Sequence, residues 1–374
     1  MNLDFNEAQE MLRTSAKDFL SKECPKTKVR EIEESESGHD ADLWKKMADL
    51  GWLGLTLPEE YGGTGGDLMD LVLVLEEMGK NVLPGPFFST VVDCSLAILQ
   101  YGNDDQKKDL LPKIAEGNCI MSLAVLEPEG SYKSKGISME AKAEGDNYVL
   151  NGTKLFALNA NVADQLLVIA RTGSAENGIT AMIVDAKSSG IKIEVIPTTG
   201  FDKQCEVAFS NVSVPKKNVL GQADKGKEVL DYILERSAVM KSAEMLGGCE
   251  ASVEMATSYA KERVQYGRPI GHFQVIQHYL VNMYMYTELI RNMVYQAGWM
   301  LSADVPCTTE VSVLKAFASD SFKYVSERGV QVHGGIGTTR DHDMGLYYRR
   351  AWAWDHLYGN AATHKDKIAE LLGM

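Results

Sequence analysis

The acid Asp93 stands inside an apolar stretch, Phe87-Phe-Ser-Thr-Val-Val-Asp-Cys-Ser-Leu-Ala-Ile98. Burying a carboxylate is costly unless it is paired or protonated, so a residue of this type in this setting asks for a reason. It is a proton acceptor, a recogniser of a polar group on a ligand, a helix-end cap or a simply exposed charge. Other chemistries are poorly supplied. Cys24, Cys94, Cys119, Cys205, Cys249 and Cys307 are scattered in mostly apolar contexts, with no Cys-x-x-Cys pair and no histidine at metal-ligand spacing. They read as reduced core thiols, not as a metal centre. His333 has no metal partner or nucleophile beside it and reads as a packed side chain. No Gly-x-Gly-x-x-Gly follows a strand, so a nicotinamide dinucleotide has no fingerprint to bind.

With 374 residues, 45% of them hydrophobic, the chain can bury a large core in two or three structural units. A net charge of −14 and the lack of any basic run argue against nucleic acid or an anionic membrane as partner. The start, Met1-Asn-Leu-Asp-Phe-Asn-Glu7, has no basic-then-apolar leader, and no stretch approaches the roughly 18 apolar residues of a membrane span. A cytoplasmic location is the expectation.

The elements that must position these residues come in three blocks. From Asn6 to about Gly117 apolar residues recur at three and four positions, which predicts helices separated by loops at Pro58–Gly66 and Leu83–Pro86. From about Cys119, short runs rich in Val, Ile and Thr predict strands at 121–125, 148–150, 166–170, 180–184, 191–196 and 206–214, with turn residues between them. Their spacing suggests a small antiparallel sandwich or barrel. The helical period then returns, with long helices expected from Lys225 to Tyr266, allowing for Gly247-Gly248, and from Phe273 to Leu301.

Four segments stand in the order of the acyl-CoA dehydrogenases and resemble their motifs. They are Leu57-Pro-Glu-Glu-Tyr-Gly-Gly63, Tyr148-Val-Leu-Asn-Gly-Thr-Lys154, Lys261-Glu-Arg-Val-Gln-Tyr-Gly-Arg-Pro-Ile-Gly-His-Phe-Gln274 and Gln331-Val-His-Gly-Gly-Ile-Gly337. The resemblance implies a mixed, mainly α fold: a helical domain over 1–119, a central β-sandwich or barrel domain over 120–222 and a four-helix-bundle domain over 223–374. It implies FAD as cofactor. Arg263 would pair with the pyrophosphate as a planar fork, Tyr266 and Gln274 would lie beside the adenosine, and Gln331, Gly334 and Gly335 would approach the diphosphate across a dimer interface.

The flavin-ring positions match less well. The segment Met121-Ser-Leu-Ala-Val-Leu-Glu-Pro-Glu-Gly-Ser131 resembles the loop that wraps the flavin and ends in Ser131, a candidate substrate contact, but Leu126 replaces the usual Thr. In Lys154-Leu-Phe-Ala-Leu-Asn159, Phe156 replaces Trp and Leu158 replaces Thr. Two hydroxyls are lost, each worth about 1 kcal/mol net. Backbone N–H groups and stacking by Phe156 remain.

In the family a carboxylate removes the α-proton of a CoA thioester while the β-hydrogen leaves as hydride. Its usual Glu falls here at Tyr358, 24 residues after Gly334, within Asp355-His-Leu-Tyr-Gly359. Some members carry the base before an Arg on the first long helix of the last domain. Glu235-Arg236 looks similar, yet counting back from Arg263 gives Ser237 as the matching position, about 200° around a helix from Glu235. Glu235 is thus a base only if the helix bulges, and otherwise a solvated charge. Asp93 lies in the segment that borders the acyl pocket in the family and is the other candidate.

The segment Asp341-His-Asp-Met-Gly-Leu-Tyr-Tyr-Arg-Arg350 resembles branches acting on steroid side chains, cyclic acyl groups or dicarboxylyl groups. The resemblance therefore implies an acyl-CoA substrate, homo- or hetero-tetramers and an electron-transferring flavoprotein as partner. Two alternatives stand beside a dehydrogenase: a non-catalytic subunit of a mixed tetramer, and a CoA-thioester lyase or isomerase on the same scaffold.

Overall fold

Asparagine and aspartate write the helix starts. The side chains of Asn6, Asp67 and Asn103 each accept the backbone N–H three residues on, and their own backbone N–H groups donate to that residue's side chain, opening α1 (Glu7–Glu23), α4 (Leu68–Asn81) and α6 (Asp104–Ala115). Asp40 caps α3 (Ala41–Asp49) alone; α2 (Lys26–Glu34) and α5 (Leu96–Tyr101) complete the first block. The computed structural model describes residues 5–374, so the first four residues of the start read above lie outside it. Two compact units are formed. One holds the chain up to Val29, Asp67–Leu83 and Ala238–Met374, and the other holds Arg30–Gly66 and Pro84–Ser237.

In the second unit one eight-stranded sheet contains β1 (Met121–Ala124), β2 (Glu140–Glu144), β3 (Asn147–Leu158), β4 (Gln165–Arg171), β5 (Ile179–Asp185), β6 (Ile191–Ile196), β7 (Gln204–Pro215) and β8 (Val219–Leu220). The order is β6-β7-β3-β2-β4-β5-β8, with β1 beside β4. Pairing is antiparallel except at β1 with β4 and the single contact of Glu140 with Arg171. Leu150, Val207 and Val212 from one half of the sheet share a core with Val168, Met182 and Val184 from the other, so the sheet folds onto itself. The opposite faces of β4 and β5, with Leu167, Ile169, Ala181 and Ile183, pack on Ile98, Leu111, Ile114 and Ile233. Burial on both faces explains why these strands are continuously apolar.

Three details depart from the sequence reading. Strand β2, Glu-Ala-Lys-Ala-Glu, escaped detection because only Ala141 is buried and the pairing with β3 does the work. Strand β3, expected at 148–150, runs on to Leu158 through two register shifts. The long helix α7 (Gly226–Glu262) stops short of Tyr266, and a hairpin of β9 (Val264–Gln265) and β10 (Arg268–Pro269) follows. Its turn, Tyr266-Gly267, has φ of 51° and 80°, the double left-handed turn that suits a tight hairpin.

The first unit is helical. With the Ala238–Glu262 part of α7 it contains α8 (Gln274–Ser302), α9 (Thr308–His333), α10 (Met344–His356) and α11 (Ala361–Leu371). Gly247-Gly248 does not interrupt α7. A Cβ on Gly247 would stand 1.9 Å from the Glu76 carbonyl oxygen of α4, and one on Gly248 would meet the Phe322 ring of α9 at 2.5 Å. Glycine here is a packing residue. Beside this contact, the buried Glu76 carboxylate accepts from Arg13 (3.0 Å), Arg291 (2.9 Å) and Tyr295 (2.8 Å), while Arg291 also pairs with Glu250. Burial, then the Glu250 charge, pushes Glu76 up to about 7 against the pull of the two arginines. All six cysteines are buried and free. Among the described residues no acid, Cys and His cluster could hold a metal ion, and no helix is long and apolar enough to cross a membrane.

Gly247→Ala is expected to lower stability by about 1–3 kcal/mol or more, because backbone, not a flexible side chain, occupies the space a methyl needs. Thermal unfolding of the purified variant checks this.

Candidate active site

Asp93 lies in a segment of unusual form. Phe88–Ser95 is a π-helix, a form that is rare and concentrated at functional sites. Thr90 anchors it to the start of β1: its hydroxyl accepts from Met121 N–H (3.0 Å) and lies 3.2 Å from the Met121 carbonyl. Asp93 is 1% exposed, and Ser237 Oγ, fully buried on α7, donates to its Oδ1 at 2.7 Å. A carboxylate with a charge-assisted hydrogen bond can remain ionised in an apolar setting and take a proton from carbon acid chemistry.

Glu235 does not join this pair. The helix is continuous from Gly226, so the bulge that would turn Glu235 toward the Ser237 side is not there. Its carboxylate instead lies 3.6 Å from Arg236, whose guanidinium sits 3.5 Å above the Tyr232 ring. Glu235 and Ser237 therefore occupy different faces of α7.

Tyr358 is buried in the helical unit with φ of 59°, followed by Gly359 at 94°. Strain in a bulky residue of this conformation must be held by its surroundings. Lys315, completely buried on α9, donates to the carbonyls of Asp355 (3.1 Å) and Gly359 (2.8 Å) and to Ser319 Oγ (3.0 Å). His364 Nε2 donates to the Tyr358 carbonyl at 3.0 Å. Burial brings the Lys315 ammonium down to about 7, opposed by Asp355. Lys323 in turn pairs with Asp355 at 3.0 Å.

The flavin-ring positions form a second arrangement in the β-unit. Phe156 adopts φ of 57° at the second register shift of β3 and is 42% exposed, so the bulge pushes the ring outward. Leu126 and Leu158 are half-buried; the Leu126 carbonyl accepts from Leu155 N–H at 2.8 Å. Beneath them Lys154 Nζ, fully buried, donates to Glu127 Oε1 (2.7 Å) and the Val125 carbonyl (3.0 Å), and Glu127 also accepts from Ser138 and Met139 N–H. Burial lowers Lys154 to about 8, whereas its charge and hydrogen bonds hold Glu127 down despite burial. Ser131 is half-buried beside Gly130, and its hydroxyl accepts from Lys133 N–H at 3.2 Å.

The remaining positions lie in the helical unit. Arg263, Tyr266, Gln274, Gln331, Gly334 and Gly335 are all exposed, Tyr266 at 91%. Arg263 leads into the hairpin, and its carbonyl accepts from Ile270 N–H at 2.8 Å. Gly334 has φ of 64° and ψ of −141°, open only to glycine, and a Cβ on Gly334 or Gly335 would meet nothing within 4 Å. An exposed guanidinium, a bare glycine backbone and an outward-held aromatic fit a diphosphate and a flat ring. Within the helical unit Arg263 and the Gly334-Gly335 backbone would suit the diphosphate of FAD, and within the β-unit Phe156 and the backbone of the Leu126 and Leu158 segments would suit its ring. His333 is packed, its ring 4.6 Å from those of Tyr259 and His342.

The structure adds Ser237, Lys154, Glu127 and Lys315 to the candidates read from the sequence. Ser237 is the register position counted back from Arg263, and Lys154 stands in the Asn-Gly-Thr-Lys motif. Lys315, in Val311-Ser-Val-Leu-Lys-Ala-Phe317, carried the same signal as Asp93, a charge within an apolar helix.

Gly335→Ala should leave the unfolding temperature unchanged, since the methyl faces open space, yet reduce bound flavin if the bare backbone meets the diphosphate. Arg263→Ala should lose most of the cofactor, because it removes the fork of an exposed side chain and leaves the backbone hydrogen bonds of the hairpin in place. Flavin absorbance per chain measures both, and unchanged flavin in Arg263→Ala would remove Arg263 from the cofactor site.

Three family models together span most of the chain: the N-terminal domain of acyl-CoA dehydrogenase matches residues 6–118, the middle domain 122–212 and the C-terminal domain 224–373. A probable acyl-CoA dehydrogenase of Bacillus subtilis is 33% identical over 384 residues, covering 100% of both chains. A short-chain-specific acyl-CoA dehydrogenase of Clostridium acetobutylicum is 30% identical, over 98% of this chain and 99% of that one. Butyryl-CoA dehydrogenase from Megasphaera elsdenii superposes with a TM-score of 0.93 at 29% identity, with 100% of each chain covered. Members of the family bind FAD. From the three matched domains, the relatives over the whole length and the shared fold, this chain belongs to the acyl-CoA dehydrogenase family, oxidoreductases acting on the CH–CH bond of acyl-CoA thioesters.

Proposed function

We propose that the chain desaturates a CoA thioester between its α and β carbons, with Asp93 as the proton acceptor in place of the usual glutamate. The observation that carries this reading is the buried carboxylate of Asp93 held by Ser237 at 2.7 Å. Counted back from Arg263, Ser237 matches the register at which the resemblance places a base in some members, and Asp93 brings a carboxylate to that residue from a different helix. Bound FAD supplies the hydride acceptor. Asp93 takes the α-proton onto a carboxylate oxygen, the β-hydrogen departs with two electrons, and the C–H pair left behind becomes the double bond. A phenol is a poorer general base than a carboxylate, so Tyr358 is given no proton to take.

The acyl group is read as bulky, cyclic or dicarboxylic, on the strength of the segment Asp341–Arg350. The relatives named for short-chain and butyryl substrates make the straight short chain the comparison to beat. Electrons then pass to an electron-transferring flavoprotein in the cytoplasm, and the chain works as a dimer or tetramer. The exposed Val281, Tyr284, Met285 and Leu289 on α8 support association, since such a row is seldom left in water. A non-catalytic subunit is the second reading, favoured by the missing hydroxyls at Leu126 and Leu158.

Flavin bleaching under anaerobic conditions tests these readings with butyryl-CoA, glutaryl-CoA and cyclohexanecarbonyl-CoA. Asp93→Asn should bleach about 10²–10⁴-fold more slowly than the parent, while Glu235→Gln and Tyr358→Phe stay close to it. If Asp93→Asn and Glu235→Gln keep the parent rate and Tyr358→Phe fails, the tyrosine is the base. A parent chain that no acyl-CoA bleaches points to the non-catalytic subunit.

A further inference from the structure

Ser237 on α7 donates to one oxygen of Asp93 on the π-helical segment, at 2.7 Å. Both side chains are shielded from water, at 0% and 1% exposure. The last torsion of an aspartate is soft, broad and roughly two-fold, so the plane of a buried carboxylate is set by its packing and by the donors that reach it. A hydrogen bond from a rigid helix helps to set it. Serine also suits the place because a second carboxylate within contact distance of Asp93 would force one of the two to take up a proton.

Resting on the reading of Asp93 as base, we infer that Ser237 is its positioning residue, and that the two together are a relocated base. The π-helical segment supplies the carboxylate and α7 supplies the donor that orients it, where a single α7 glutamate would supply both charge and position. The carboxylate and the hydroxyl are then exchangeable between the two elements. Moving the acid to residue 237 and the hydroxyl to residue 93 keeps the same atoms in the same buried volume.

The holoenzyme is measured as parent, Ser237→Ala, Ser237→Thr, Asp93→Ser and the exchange Asp93→Ser with Ser237→Asp. Two readouts are taken with whichever of butyryl-, glutaryl- and cyclohexanecarbonyl-CoA bleaches the parent fastest. One is the bleaching rate at saturating thioester, alongside the concentration for half-maximal rate. The other is exchange of the thioester α-hydrogen with deuterium from solvent, followed by nuclear magnetic resonance, which reports proton removal directly. Ser237→Ala should lower the saturating rate and the α-exchange about tenfold with the half-saturating concentration unchanged. Ser237→Thr, which keeps the hydroxyl, should recover most of both. The exchange variant should surpass Asp93→Ser by at least about tenfold in α-exchange. Should Asp93→Ser lose activity while Ser237→Ala matches the parent and the exchange variant gains nothing, Ser237 has no positioning role although Asp93 remains the base. If the exchange variant binds no flavin, the alanine and threonine variants decide the matter between them. Parent-like rates in Asp93→Ser overturn the base assignment itself and this inference with it.

Discussion

A carboxylate removed from water needs hydrogen-bond donors or it takes up a proton, and that requirement organises the surroundings of Asp93. One donor is Ser237 on α7, and the π-helical segment brings the Asp93 carboxylate within 2.7 Å of its hydroxyl. Thr90 fastens the same segment to β1 on another side. An α-helix over these residues would follow a different residue spacing and redistribute its side chains around the axis. The rare helical form is thus the means by which an acid in an apolar run reaches its partner.

The β-unit meets a parallel demand with a buried ion pair. Lys154 and Glu127 lie beneath the Leu126 loop and the Phe156 bulge, and their hydrogen bonds reach Val125, Ser138 and Met139. Such a pair gains little net stability over apolar packing, but losing one partner strands the other charge. Its evident effect is geometric: it locks the backbone on both sides of the positions where family hydroxyls are replaced by leucine. Lys315 does similar work in the helical unit, satisfying two carbonyls of the turn that carries Tyr358. In each place a buried ionisable group fixes the backbone of the turn or loop around it.

Much of the architecture was legible along the chain. Asn and Asp caps, apolar repeats of three and four and clusters of turn residues located the helices, and the Val- and Ile-rich runs located six of the strands. Strand β2 was not legible, because Glu-Ala-Lys-Ala-Glu has no β preference and is extended only through pairing with β3. The Tyr266-Gly267 hairpin was overrun by the helical reading of α7, although Gly267 followed by Pro269 marks the break in retrospect. Gly247-Gly248 looked like a weak point in α7 and is instead where α4 and α9 approach it.

By itself the sequence determined the family, the helix–sheet–helix order and the identities of the residues that bear charge in apolar settings. Those follow from local propensity, periodicity and motif spacing, all of which are written along one dimension. Only the tertiary structure decided that Asp93 meets Ser237 while Glu235 turns aside to Arg236, and that Lys154 and Lys315 are buried clamps. Asp93 and Ser237 are 144 residues apart in the chain. No pattern read over a helical turn or a strand pair reaches that far; the contact exists because two packed elements bring their faces within a hydrogen bond.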